Sequence, residues 1–307
     1  MTDAATVPNS PRLLLLARDI KLSHSVFAMP FAILGGYLAA GSMDVALHRQ
    51  FVVLALIVVC MVLARTVAMT VNRLADRSLD AENPRTANRA IPSGKLSTGY
   101  VRGVTIACAL GFIAACSGFW FASGNPWPVL LSPVVLAWLS LYSYTKRFTW
   151  LCHLFLGSAL AISPIAAAIA VAPEYLARPE TYLLAGMVMC WVAGFDVIYA
   201  LQDVEADRSK GLYSMPSRLG VEPALWISRA LHLAATGALV VLVRVSPLLN
   251  EAFAVGVIIV AGLLLLEHAL VWRSEQRRIH MAFLTVNGVI SVLLGALGVV
   301  DVMREIA

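Results

Sequence analysis

Apolar residues run along this chain in nine windows, near 22–41, 51–72, 101–122, 127–144, 151–172, 181–202, 222–244, 251–272 and 281–303. Each is close to the roughly 20 apolar residues that a helix needs to cross a bilayer. Most linkers between windows are short, so neighbouring helices are expected to pack antiparallel. Two linkers, 73–100 and 203–221, are longer than the connection needs, and such loops tend to carry function. Little chain is left for anything else. The pattern predicts an all-α integral membrane bundle of nine transmembrane helices, forming a single domain over residues 1–307.

Composition agrees with the pattern. Of 307 residues, 60% are hydrophobic and 13% charged, and mean hydropathy is +0.80. A soluble domain carries about 25% charged residues, so disorder and a water-soluble enzyme are both excluded. Met1 to Ser10 is polar, and Leu13–Leu16 is too short for a signal-peptide core. Cys60, Cys108, Cys116, Cys152 and Cys190 all fall inside apolar windows with no CxxC spacing. They read as small buried hydrophobes, not as a disulfide framework or zinc site.

The placement of basic residues sets an expected orientation. Seventeen of the 23 Lys and Arg fall before the first window or in the second, fourth, sixth and eighth linkers, counting Arg102 at the edge of the third window. The other side has only Arg49, Arg178, Arg244 and Arg304, while Arg65 and Arg229 sit within windows. By the positive-inside rule the N-terminus is cytoplasmic, and nine spans put the C-terminus outside. Both long linkers are then cytoplasmic.

The chemistry collects at the same face. The second window ends Asn72-Arg-Leu-Ala-Asp76-Arg-Ser-Leu-Asp80, and the sixth ends Tyr199-Ala-Leu-Gln-Asp203-Val-Glu-Ala-Asp207, with Asp196 earlier. Each is a polar-xxx-Asp-xxx-Asp ladder that would line one helix face, rising about 6 Å per step. Asp76 to Asp203 and Asp80 to Asp207 are both 127 residues apart, so the unit is repeated. A solvated face would account for one such pair but not for two at equivalent places. Asp196 also falls within the apolar window, with Asp203 at its edge, and a carboxylate there costs about 2.5–3.5 kcal/mol and so needs a partner or a task.

Four facing carboxylates repel unless cations sit between them. Hard oxygen ligands completed by water and substrate phosphate are the usual setting of Mg²⁺. Arg85, Arg89, Lys146, Arg147 and Lys210 stand nearby and suit an anion that shares those ions, such as a diphosphate. Basic residues beside a membrane also serve as topology determinants or contacts to lipid head groups, a reading that stays open for Arg147.

With Arg85-Thr-Ala-Asn-Arg-Ala-Ile-Pro-Ser-Gly94 following it, the Asn72–Asp80 ladder resembles the first aspartate-rich motif of the UbiA superfamily of intramembrane prenyltransferases, and Asp196–Asp207 resembles the second. The resemblance spans nearly the whole chain. It implies that Asn72, Asp76, Asp80, Asp203 and Asp207 coordinate Mg²⁺ bound to a polyprenyl diphosphate. It also implies diphosphate contacts from Arg65, Arg85, Arg89, Lys146 and Lys210. Many members have Asp directly after the motif's Asn, where this chain has Arg73. The tract Ile20-Lys-Leu-Ser-His24-Ser-Val-Phe-Ala-Met-Pro-Phe31 resembles bacterial members taken as 4-hydroxybenzoate polyprenyltransferases, several of which serve the futalosine route to menaquinone. His24 is then either an acceptor contact or a structural residue.

The resemblance implies transfer of a polyprenyl group to an aromatic acceptor in respiratory quinone biosynthesis, at a site facing the cytoplasm of a bacterial inner membrane. The expected acceptor is 4-hydroxybenzoate, for ubiquinone, with a futalosine-derived aromatic acid as the alternative. Partners are the diphosphate, the acceptor and the lipid bilayer, with no nucleic acid. Asp76 and Asp203 would carry the catalytic charge. Asp196 would orient or deprotonate the acceptor, or else support Tyr199 or a water on Mg²⁺, and the two long linkers would cap the site. A cation-coupled transporter is the alternative from another class. Against it, the carboxylates sit at helix ends and the repeat is parallel. A purely structural membrane protein leaves the ladders unexplained.

Overall fold

The computed structural model of the protein describes residues 11–21, 25, 27–42, 47–271 and 285–306. His24 and the basic residues Arg273, Arg277 and Arg278 lie outside the described residues. All regular structure among the described residues is helical. It begins with the short α1 (Arg12–Asp19) and α2 (Met29–Ser42), then α3 (Leu47–Ala75) and α4 (Arg77–Glu82). The long helices α5 (Thr98–Ser123), α6 (Trp127–Thr145), α7 (Cys152–Val171) and α8 (Pro179–Ala200) follow. Two short helices, α9 (Val204–Ser209) and α10 (Met215–Leu219), lead to α11 (Val221–Val245), α12 (Glu251–Val271) and α13 (Asn287–Glu305).

Eight of these segments are long and apolar enough to cross a membrane: α3, α5, α6, α7, α8 continued through α9, α11, α12 and α13. The first predicted window differs. Its described helix, α2, has 14 residues and spans about 21 Å, short of the roughly 30 Å hydrocarbon core. The outer faces are greasy, as lipid requires, with Phe121, Leu233, Ile258 and Leu265 all largely exposed.

Helix α8 is the enclosed centre, with 67% of its apolar window buried. It packs against α7 on one side and α11 on the other. Both contacts depend on small residues, which let membrane helices approach closely. A Cβ on Gly157 would collide with the Met189 carbonyl, and one on Gly194 with the His232 ring. Polar side chains fix the far side. Trp191 Nε1 donates to Asn287 Oδ1 at 2.7 Å, and Asn287 Nδ2 donates to Glu267 Oε1 at 2.6 Å. His232 and His268 meet at 3.1 Å beside them, so α8, α11, α12 and α13 share one buried network.

Local signals set the ends. Ser97 caps α5 by accepting from Tyr100 N, and Gly124 ends that helix in the left-handed conformation, φ 73°. Ser214 and Ser217 form a reciprocal capping box on α10. The long linkers 83–97 and 210–214 fold as hydrogen-bonded turns over one end of the bundle, the end that carries both aspartate motifs.

Candidate active site

The two ladders are built alike, but neither lies on one continuous helix. Helix α3 stops at Ala75, and α4 restarts after Asp76; α8 stops at Ala200, turns once through 201–203, and α9 restarts after Asp203. Asp76 (φ −93°, ψ 5°) and Asp203 (φ −113°, ψ 7°) are the break residues. Both occupy the sparsely populated bridge region, where many active-site residues sit. In the first motif the cause is visible. Arg147 Nη2 donates to the Ala75 carbonyl at 2.8 Å, taking an acceptor that the helix would otherwise use. Asp80 N still bonds to Asp76 O at 2.7 Å, so the ladder keeps its rise across the break.

Each carboxylate has a cation or hydroxyl on it. Asp76, buried, accepts from Lys146 Nζ at 2.6 Å, Arg147 Nη2 at 3.0 Å and Asn72 Nδ2 at 3.2 Å. Arg89 Nη1 reaches both oxygens of Asp80 at 2.8 Å. Arg85 grips Asp203 with two nitrogens, at 2.9 and 2.5 Å, and touches the Tyr199 hydroxyl at 3.3 Å. Ser214 Oγ donates to Asp207 at 2.7 Å. The motifs are cross-linked in both directions. Arg85 and Asn83 of the first linker hold Asp203, while Lys210 of the second donates to Leu79 O at 2.6 Å and pairs with Glu82 at 3.4 Å.

The basic groups outnumber what the ladders can neutralise locally. Burial pushes the Lys21 ammonium below its ordinary pKa, and repulsion from Arg89, Arg73 and Arg85 pushes it further. Lys21 also holds a left-handed backbone, φ 48°, of the strained kind that clusters at ligand sites. For Arg85, burial works against the charge, but Asp203 outweighs it and the pKa is raised. Arg73, the departure from the family pattern, is buried. It donates to Asn72 Oδ1 at 2.9 Å and to Asp19 O at 3.1 Å, and its Nε lies 3.2 Å from Asp19 Oδ2. Asp19 in turn accepts from Ala90 N at 2.7 Å. Arg73 therefore ties α1 to the first motif and its linker.

Among the described residues no group of three or more His, Cys, Asp or Glu is gathered at metal-binding distance. The donor chemistry nonetheless fits Mg²⁺, because hard carboxylate oxygens at one helix-bundle end, with room for substrate oxygens, are what that ion takes. Lys146, Arg85 and Arg89 would then have to release carboxylates and turn to an anion. Their partial exposure, 25–34%, leaves them able to do so.

Below the ladders lies an apolar cavity of about 400 Å³ between α3, α5, α6 and α7. Ala64, Phe112, Phe119, Val135 and Leu160 are among its walls, and Arg65 and Tyr142 bring polar groups to it beside Met69. Val134 lines it yet is 65% exposed, so the cavity opens sideways between helices. Arg65 sits seven residues, about 10 Å, below Asn72. It donates to Lys21 O at 3.4 Å, and its Nε has no hydrogen-bond partner among the described residues. Asp196 is equally far below Asp203 and is held by His153 Nδ1 at 2.6 Å. Sequence reasoning had not singled out His153. The signal was available, since a histidine just inside an apolar window needs a partner as a carboxylate does.

Residues 28–290 match the model of the UbiA prenyltransferase family. The 4-hydroxybenzoate octaprenyltransferase of Shewanella woodyi is 30% identical over 263 residues, covering 85% of this chain and 87% of the relative. That of Enterobacter sp. (strain 638) is 30% identical over 73% of this chain and 75% of its own. The apo structure of a UbiA homolog from Aeropyrum pernix K1 superposes with a TM-score of 0.79 at 30% identity, covering 91% of this chain and 98% of that one. A UbiA homolog from Archaeoglobus fulgidus bound to DMAPP and Mg²⁺ shares the fold, with a TM-score of 0.68 at 18% identity over 96% and 99% of the two chains.

Proposed function

The chain belongs to the UbiA prenyltransferase family, and from that premise we propose that it transfers a polyprenyl group from polyprenyl diphosphate to 4-hydroxybenzoate for quinone biosynthesis, with Mg²⁺ held between the two ladders. The observation that carries this is the pairing of every ladder carboxylate with a hydrogen-bond donor at one end of an apolar cavity. The relatives named as 4-hydroxybenzoate octaprenyltransferases and the homolog bound to DMAPP and Mg²⁺ support it.

Asn72, Asp76, Asp80, Asp203 and Asp207 would hold the metal. When bound, Mg²⁺ would neutralise charge on the departing diphosphate. Lys146, Arg85, Arg89 and Lys210 would take the remaining diphosphate oxygens, where negative charge grows as the allylic C–O bond breaks. The prenyl tail would lie in the cavity below. The allylic carbon is attacked by an aromatic ring carbon, and the ring proton leaves afterwards. Asp196 would orient the acceptor's hydroxyl or take that proton. The half-buried charge of Arg65 would serve whichever anionic group reaches its depth, which for an aromatic acid is the carboxylate. The enclosure by α1 and both linkers keeps water from the allylic cation.

The orientation is read from Lys and Arg placement: motifs and N-terminus on the cytoplasmic side of a bacterial inner membrane, with the first apolar window, 22–41, as the ninth crossing. The tract Ile20–Phe31 favours a second reading, the same transfer to a futalosine-derived aromatic acid for menaquinone. The test is a membrane assay with radiolabelled prenyl diphosphate and each acceptor, in Mg²⁺ and in EDTA. The expected result is Mg²⁺-dependent product with 4-hydroxybenzoate. Product with the futalosine-derived acid alone moves the protein to the second pathway. No product with either, from folded protein, refutes the acceptor assignment.

A further inference from the structure

His153 stands in the first turn of α7, with its side chain 3% exposed. One ring nitrogen, Nδ1, lies 2.6 Å from Asp196 Oδ2. The other, Nε2, lies 3.2 Å from the backbone nitrogen of Met215. A backbone N–H can only donate, so Nε2 is the acceptor there and the ring proton sits on Nδ1, facing Asp196. The tautomer is thus set by Met215, the first residue of α10, at the end of the linker that joins it to α9.

That linker is itself immobilised. Tyr213 N donates to Lys146 O at 2.7 Å, and Cys152 Sγ donates to Tyr213 O at 3.3 Å. Ser214 Oγ holds Asp207 at 2.7 Å, and the capping box fixes Ser214 against Ser217. Three consecutive residues, Tyr213, Ser214 and Met215, therefore reach Lys146, Asp207 and His153 in turn. Asp196 is on a different helix, and its side chain is 23% exposed. Its other oxygen has no hydrogen bond among the described residues. A half-buried carboxylate held at one oxygen by a buried imidazole presents the second in a fixed direction.

We propose that His153 is a positioning residue for prenyl transfer: it clasps Asp196 through Nδ1, in a ring orientation set by Met215, so that the free carboxylate oxygen points at the acceptor. This rests on the reading of Asp196 as the acceptor's contact. The clasp requires the proton donor at the δ position of residue 153. Asparagine can place an amide N–H there, whereas glutamine places its amide near the Nε2 position and keeps only the tie to Met215.

The experiment compares wild type, His153→Ala, His153→Asn, His153→Gln and Asp196→Asn in proteoliposomes with Mg²⁺, varying acceptor and prenyl diphosphate separately. His153→Ala is expected to lower kcat/KM for the acceptor tenfold to a hundredfold, as small misplacements of reacting groups do. Its KM for the prenyl diphosphate should stay within about twofold of wild type, a margin well under 1 kcal/mol. His153→Asn should recover most of the loss and His153→Gln little of it, with both melting near wild type. Equal rescue by Asn and Gln, or wild-type acceptor kinetics in His153→Ala, overturns the proposal. So does an equal rise of both KM values. Should His153→Ala fail to fold, the Asn-to-Gln comparison still decides. If Asp196→Asn transfers normally, it is the acceptor role of Asp196 that has failed.

Discussion

Replacing Asp76 separates what the ladder does for the fold from what it does for the reaction. The carboxylate is buried and takes three hydrogen bonds, from Lys146, Arg147 and Asn72. Hydrogen bonds to charged groups contribute about 1.5–3 kcal/mol each in well-desolvated settings. Both cations are 32% exposed, so water recovers much of that when the carboxylate goes. Arg147 also keeps the carbonyls of Ala75 and Ser143. The net cost of Asp76→Asn should therefore be about 1–2 kcal/mol, which leaves the bundle folded. The activity loss should be far larger. If Asp76 holds the metal that meets the developing diphosphate charge, its removal should slow transfer by about 10²–10³, or 2.7–4 kcal/mol, as loss of one transition-state contact does elsewhere. The assay is Mg²⁺-dependent prenyl transfer by purified protein in liposomes, beside a thermal melt of the same preparation. Turnover within threefold of wild type, with unchanged Mg²⁺ dependence, would refute the metal assignment. A melt shifted by many degrees would refute the stability reasoning instead.

Three further outcomes are expected. Lys146→Ala, which removes an ammonium whose one hydrogen-bond partner among the described residues is Asp76, should raise KM for the prenyl diphosphate at least tenfold with little change in melting. Arg147→Ala, which removes three anchors, should instead destabilise by about 1–3 kcal/mol; thermal melts and saturation curves on both variants check the contrast. Lys21 has a lowered pKa from burial and then from its arginine neighbours. It loses its charge at lower pH than an ordinary lysine, so KM for the diphosphate should climb as pH rises toward 10, and Lys21→Met should flatten that climb. Ala64→Phe fills part of the apolar cavity and should lower kcat/KM for a long prenyl diphosphate by at least tenfold relative to geranyl diphosphate, since one or two methylenes decide 10–200-fold.

Much of the site was legible because its spacing is local. The ladders Asn72–Asp80 and Tyr199–Asp207 follow from i,i+4 arithmetic within single segments, and the basic residues expected beside them are there. The break at Asp76 was not legible, because its cause is Arg147, a side chain 71 residues away. The same holds for Arg73, whose partner Asp19 lies 54 residues upstream, and for His153 with Met215. In each case the residue type signals that a partner is needed, and only the fold supplies which one. The first window, 22–41, is only partly covered by the described residues. Hydropathy reads an apolar stretch without seeing where its helix starts, and α2 begins only at Met29.

The sideways opening beside Val134 changes how this catalyst counts its substrate. A tail that enters from between helices arrives by diffusion in two dimensions, and the prenylated product returns to the same film without crossing the aqueous phase. The relevant variable is then mole fraction in the bilayer, not molarity in the tube. Adding inert phospholipid at fixed total prenyl diphosphate would slow the reaction by surface dilution, although bulk concentration barely changes. The aromatic acid, arriving from water past α1 and the linkers, would obey ordinary molarity. Two substrates of one enzyme would thus be measured in different units.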